Sequence, residues 1–238
     1  MDYSYVLAHG LNQRPEAMRR WAEHLKWPAD RGTLIRLPGH GGTESLRQVT
    51  AARWLTSFRE QYVAAAGETS LVYVGYSLSG LLMTHLLSTQ RIPQPTKQIL
   101  LAPALAFRRW TRLPVLFPPQ WDRWLIPSFA PARYKANPGV TINAYKAMFS
   151  IRQELEAQPA AHYNVPTLVL CDQHDEMVDP EGLRTFIRDK NLSQWQLHIL
   201  PSSPWRRWGK KHLLTAPEYH TNVYRETIKS YVARFLTE

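Results

Sequence analysis

Gly75-Tyr76-Ser77-Leu78-Ser79-Gly80 lies between Leu71-Val72-Tyr73-Val74 and Leu81-Leu82-Met83-Thr84-His85-Leu86-Leu87. The first apolar run is short and rich in β-branched and aromatic residues, which predicts a buried strand. The second run is longer and mostly apolar, which predicts a buried helix. A serine between small residues at such a junction suits a nucleophile elbow, a turn so tight that bulky neighbours would clash. Its hydroxyl would project beyond the end of a sheet. Ser79 stands where this pattern usually has glycine.

Working outward, strands and helices alternate. Tyr3 to Ala8 reads as a strand ending at His9-Gly10, and Met18, Trp21, Ala22 and Leu25 then recur at helical spacing after Pro15. Thr33 to Leu37 is a second strand, closed by Pro38-Gly39-His40-Gly41. Residues 50–66 give a helix with Ala51, Trp54, Leu55, Phe58 and Tyr62 on one face. Further strands are expected at Gln98–Leu101, Val165–Cys171 and Trp195–Leu200. Thr215-Ala216-Pro217-Glu218 reads as a capping box leading the terminal helix. The pattern predicts an α/β fold: a mostly parallel sheet of about six strands, flanked by helices, with its site at the strands' carboxyl ends.

Residues 103–162 break the alternation, because they are far too many for an ordinary crossover. Their first half is crowded with Pro, Trp and Arg; their second half has helical spacing at Ile142, Tyr145 and Phe149. A lid inserted into a core of residues 1–102 and 163–238 is the expected organisation, and a structural excursion over the sheet edge is the alternative.

The 238 residues are ordinary in hydrophobic content (44%) and charged content (20%), as for one globular α/β domain. The single cysteine, Cys171, rules out an internal disulfide and fits a reducing compartment. No signal-peptide pattern opens the chain and no run suits a bilayer span, so a cytoplasmic location is expected. The net charge of +10 points to anionic partners. Arg206, Arg207, Lys210 and Lys211 with Trp205 and Trp208 would suit nucleic acid, but no nucleic-acid motif accompanies them and none is expected to bind.

A reactive serine needs an imidazole to take its proton, a carboxylate to orient that imidazole and two N–H donors for the oxyanion. In this topology the order is serine, acid, histidine. Asp175 lies mid-loop in Cys171-Asp172-Gln173-His174-Asp175-Glu176-Met177-Val178-Asp179-Pro180 and is the acid candidate, with Asp172 and Glu176 as alternatives. Asp179 precedes a proline and reads as a helix N-cap. His212 follows the last strand and is the base candidate; His198 reads as a strand-face residue and His220 as part of the terminal helix. The Leu78 and Leu11 amides are the expected oxyanion donors, Leu11 through His9-Gly10-Leu11-Asn12. No histidine has metal-ligand spacing, so neither metal nor cofactor is expected.

These segments together resemble the α/β-hydrolase superfamily, and most of all its bacterial carboxylesterase and monoacylglycerol-lipase branch. The resemblance rests on His9-Gly10, Pro38-Gly39-His40-Gly41, the elbow, Asp175–Pro180 and Lys211-His212-Leu213-Leu214-Thr215. It runs from about residue 3 to 236 and fails across the lid; the family's usual first hairpin is not seen, and Ser79 is the other departure. It implies an ester substrate attacked by Ser77 through an acyl-enzyme. An acyltransferase on the same scaffold and a non-catalytic small-molecule binder are the competing readings. The apolar lid residues Trp110, Phe117, Trp121, Trp124, Phe129, Met148 and Phe149 imply apolar acyl or alkyl groups, with some of them packing on the core. If Arg206, Arg207, Lys210 and Lys211 and the lid's Arg108, Arg109, Arg112, Arg123, Arg133 and Lys135 sit around the mouth, they would draw anionic or lipid-like esters, allow peripheral membrane contact and hold His212 neutral. Scattered, solvated charge is the alternative.

Overall fold

The computed structural model describes residues 3–27, 32–41, 44–67, 70–128, 130–202 and 210–238. Phe129 and the Trp205, Arg206, Arg207 and Trp208 patch lie outside them. Six strands form one parallel sheet: β1 (Ser4–Ala8), β2 (Gly32–Ile35), β3 (Leu71–Tyr76), β4 (Lys97–Leu101), β7 (Thr167–Asp172) and β8 (Trp195–Leu200). Their order is β2-β1-β3-β4-β7-β8. β3 and β7 are buried at every residue, which accounts for their unbroken apolar runs in place of alternation. A separate antiparallel pair, β5 (Leu125–Pro127) and β6 (Gly139–Thr141), lies inside the long insertion.

The helices are α1 (Glu16–His24), α2 (Ala51–Ala65), α3 (Leu78–Ser88), α4 (Ile142–Glu156), α5 (Pro180–Asp189) and α6 (Asn222–Thr237). Every residue of α3 is buried, so its sequence carries no amphipathic stripe. Such a helix needs cover on its outer side, and α2 and α4 supply it. α4 buries Ile142, Ala144, Ala147, Met148, Ile151 and Leu155, so the second half of the insertion belongs to the core. The first half is different: it is short 3₁₀ turns over Arg109–Leu116 and Pro119–Trp121 with few buried side chains.

Two sequence expectations need correction. The last helix starts at Asn222, capped by Thr221, whose hydroxyl accepts from the Tyr224 amide at 3.2 Å. Thr215 and Glu218 do not cap it. The Pro217 ring forces a separate 3₁₀ turn, Pro217–Tyr219, and both side chains bond elsewhere. His220 therefore precedes the helix, its Nε2–H donating to the Leu213 carbonyl at 3.1 Å. Asp179 occupies the N-cap position of α5, but its side chain makes no capping bond and faces Arg108 at 3.7 Å.

Candidate active site

Between β3 and α3 only Ser77 remains to reverse the chain. It does so at φ 51° and ψ −110°, a conformation that costs about 1–3 kcal/mol for a residue with a side chain. The surroundings hold it there. The Ser77 amide donates to the Leu101 carbonyl at 2.9 Å, and the Ser77 carbonyl accepts from Gly80 and Ala104, each at 3.1 Å. Gly10 presses against this turn from the end of β1. A Cβ on Gly10 would lie 2.6 Å from the Tyr76 ring and 3.1 Å from the Ser77 Cβ, so only glycine fits.

Ser79, the departure from glycine, is fully buried and occupied. Its hydroxyl lies 2.7 Å from the Ala8 carbonyl and 3.1 Å from that of Tyr76, and accepts from the Tyr76 amide at 2.9 Å. The extra hydroxyl stitches the elbow to β1. Of the two serines, only Ser77 points its oxygen at a base.

The Ser77 hydroxyl donates to His212 Nε2 at 3.0 Å. His212 Nδ1–H donates to Asp175 Oδ2 at 2.8 Å. Asp175 is 1% exposed, and its Oδ1 accepts from the Met177 and Val178 amides, both at 2.8 Å. The loop thus wraps the carboxylate and aims its free edge at the imidazole. Asp172, the alternative acid, is spent elsewhere: fully buried, it accepts from the His174 amide at 2.8 Å, the Ser202 hydroxyl and the Tyr224 hydroxyl at 2.8 Å. It ties the acid loop to α6. Glu176, the other alternative, accepts from the amides of Lys211 and His212 at 3.0 and 2.9 Å. Its carboxylate clamps the backbone that carries the histidine. Tyr76 adds a second clamp, donating to the His212 carbonyl at 3.0 Å with its ring 5.2 Å from the imidazole.

Leu78 is the first residue of α3, where an amide has no acceptor within its own helix. In the facing loop Gly10 donates to Gln13 Oε1 at 3.2 Å, Asn12 to His40 Nε2 at 2.8 Å and Gln13 to the Gly10 carbonyl at 3.2 Å. The Leu11 amide has no acceptor among the described residues. Two histidines fix this loop. His9 Nδ1–H donates to the Gly10 carbonyl at 2.9 Å while Nε2 accepts from Leu37, and His40 Nδ1–H donates to the Pro38 carbonyl at 3.0 Å. Burial holds both imidazoles neutral, His9 well below its ordinary value and His40 down to about 4. Asn12, in the left-handed region at φ 56°, exchanges two side-chain bonds with Asn137 of the insertion, at 2.8 and 3.1 Å. Gln13 reaches the Thr215 hydroxyl, and Tyr134 donates to Glu218. Residues 9–13, the loop that carries His212 and residues 134–137 therefore form one joint.

Burial by itself lowers the His212 pKa, but the Asp175 charge and hydrogen bond, followed by the Glu176 charge, outweigh it and leave the imidazole above its ordinary range. The expectation that nearby cations hold His212 neutral is corrected here. No described cation contributes to the shift, which the Asp175 and Glu176 carboxylates set against burial. Burial and the charges of Asp175 and Asp172 raise the Cys171 thiol well above its usual range.

Sequence reading singled out Ser77, Asp175, His212, Leu11 and Leu78, and the structure brings the first three into one hydrogen-bonded chain, with Leu78 directly following Ser77. It missed the roles of Glu176, Tyr76, His40 and Asn137. Only Glu176 left a signal, an acid adjacent to the acid candidate.

A parallel sheet with a strained serine turn at the carboxyl end of a central strand is the architecture of α/β hydrolases. The profile described as the alpha/beta hydrolase family matches residues 5–219, and the chain belongs to that family. No curated protein matches its sequence. Among solved structures it is similar to the soluble variant of monoglyceride lipase from Saccharomyces cerevisiae in complex with a substrate analogue. That likeness has a TM-score of 0.74 at 15% identity, covering 98% of this chain and 85% of the other. It is also similar to one of the metagenome-derived lipolytic enzymes LipS and LipT (TM-score 0.66, 20% identity, 84% and 83% covered). A third is Est1E from Butyrivibrio proteoclasticus with ferulic acid bound (TM-score 0.60, 18% identity, 98% and 90% covered).

Proposed function

We propose that this chain is a serine hydrolase of carboxylic esters. The observation that carries the reading is the unbroken relay from the Ser77 hydroxyl through His212 to Asp175, at 3.0 and 2.8 Å. In the reaction the Ser77 oxygen attacks the ester carbonyl as its proton passes to His212 Nε2. Asp175 holds the imidazole with its Nδ1 proton inward and balances the imidazolium charge. The Leu11 and Leu78 amides receive the developing oxyanion. His212 then gives its proton to the leaving alcohol, and water, activated by the same imidazole, releases the acid from Ser77.

The substrates are apolar acyl esters of lipid-like character, drawn in by the basic surface. Residues 103–162 act as the lid over this end of the sheet. Its residues 134–137 and α4 serve as fixed supports, and the part over Arg109–Trp121 is the portion free to meet a substrate surface. The test is a fluorophosphonate probe together with aryl esters graded by acyl length. One labelled serine, Ser77, and a preference for medium acyl chains are expected. Labelling elsewhere, or a strong preference for acetyl or charged acyl groups, overturns the reading.

A further inference from the structure

The 3₁₀ segment Arg109–Leu116 has three residues per turn, so side chains three apart eclipse one another and the rod has three distinct edges. One edge faces inward: Thr111 and Pro114 are buried. A second edge is apolar and turned to solvent: Trp110, Leu113 and Leu116 are 54%, 56% and 79% exposed. The third carries Arg109 and Arg112, both exposed and neither ion-paired among the described residues. Most surface helices hide their apolar stripe; this one shows apolar and cationic edges together.

Its ends are fixed while its middle stands out. At the near end the Arg108 amide donates to the Met177 carbonyl at 3.0 Å, and Arg108 Nε–H to the Asp175 carbonyl at 3.1 Å. At the far end Trp124, 60% exposed and stacked on Trp121, accepts at its carbonyl from Ile142 at the start of α4. The rod is therefore a ridge rather than a groove, moored directly to the acid loop.

We propose that this ridge docks on the surface of an anionic lipid bilayer, its apolar edge entering the headgroup boundary while Arg109 and Arg112 meet lipid phosphates. Charge decides the occupant. A second copy of a chain of net charge +10 would meet the same arginines and be repelled. A protein partner would have to offer a groove to an isolated ridge, whereas a bilayer needs only apolar side chains flanked by cations. No helix among the described residues is long and apolar enough to cross a membrane, so the contact is peripheral. The proposal deepens the ester-hydrolase reading and rests on it for its purpose: docking sets the acid and base loops at the lipid surface.

The experiment sediments the protein with vesicles of phosphatidylglycerol mixed with phosphatidylcholine, and with phosphatidylcholine alone. It is run in a Ser77→Ala background so that binding is read without turnover. Binding is expected to the mixed vesicles and to weaken in raised salt. Arg109→Glu with Arg112→Glu should lower it about 25-fold or more, at roughly five-fold per arginine. Leu113→Ser with Leu116→Ser should lower it at least about ten-fold. All four positions are exposed, and turnover of a soluble aryl ester by the corresponding proteins carrying Ser77 should be unchanged. Equal binding to both vesicle types, no binding at all, or binding that survives both double variants overturns the proposal. So does retention on an acidic polypeptide without vesicle binding. If Ser77 fails to label while docking persists, the ester reading falls alone.

Discussion

Residues 172–179 and 109–125 both lie in connections without an α-helix at the carboxyl end of the sheet, yet they use their side chains in opposite ways. In the first, Asp172 and Asp175 are buried and every bond they accept holds a specific neighbour. In the second, Trp110, Leu113, Leu116, Trp124 and Leu125 stand in solvent. Lack of an α-helix thus says nothing about exposure. What separates the two stretches is where their side chains go: the buried, hydrogen-bonded carboxylates of the first can hold a proton-transfer geometry, and the exposed apolar side chains of the second offer a surface.

The sharpest way to break this contrast is at Ser77. Ser77→Ala should lower ester turnover by about 10⁴–10⁶ with thermal stability retained, because relay residues act as a unit; steady-state kinetics and a melting curve check both. Asp175→Asn should cost about 10⁴-fold by favouring the wrong imidazole tautomer. The paired control is Asp172→Asn, which should lower the melting temperature more than the turnover number, since Asp172 bonds Tyr224 and Ser202 rather than His212. If Asp172→Asn loses turnover while Asp175→Asn keeps it, the two carboxylates have been assigned the wrong way round.

Glu176→Gln should be milder, about 10–100-fold in kcat, with KM little changed, because one of two amides loses its acceptor. Its pH profile separates positioning from mere stability. The Glu176 charge raises the His212 pKa, so removing it should move the acidic limb of kcat/KM to lower pH. An unmoved limb would leave Glu176 a purely structural clamp.

The His9–His40 pair predicts acid sensitivity of the oxyanion loop. His40 is depressed from 6.5 to about 4, so its contribution to stability is complete above pH 6.5 and is lost as pH falls towards 4. The loss from His40 is on the order of 3 kcal/mol, with His9 adding in the same direction. Melting temperatures across that range should fall, and His40→Gln should flatten the slope. Smallest of all should be the effect of the ridge variants on a soluble ester, which should turn over as in the parent protein.

The fold was legible because strands such as β3 and β7 are short apolar runs and β8 alternates, each bounded by Gly, Pro or polar residues. The terminal helix was misjudged by a turn: Thr215-Ala216-Pro217-Glu218 has the capping letters, but their oxygens are taken by Gln13 and Tyr134, which lie far away in sequence. The same limit applies to the site. Serine, acid and histidine stand out by loop position, whereas His40 and Asn137 act through contacts 28 and 125 residues apart, which no local pattern records, and Glu176 shows only as an acid beside the acid candidate. The insertion reads as a lid because it is too long for a crossover and has secondary structure of its own; that α4 is buried follows only from α3 needing an outer cover.

The Ser79 hydroxyl has a consequence for the order in which this protein assembles. It reaches the Ala8 carbonyl only when Ala8 lies beside Gly75. A slip of one residue between β1 and β3 would withdraw Gly10 from Tyr76 and cost the Ser79 hydroxyl its bond to Ala8, leaving it only its bonds to Tyr76. Ser77 can thus be held in its costly turn only after two strands more than sixty residues apart in the chain have found their register. During refolding, reactivity towards a fluorophosphonate should appear last, after compaction and after helix content have recovered.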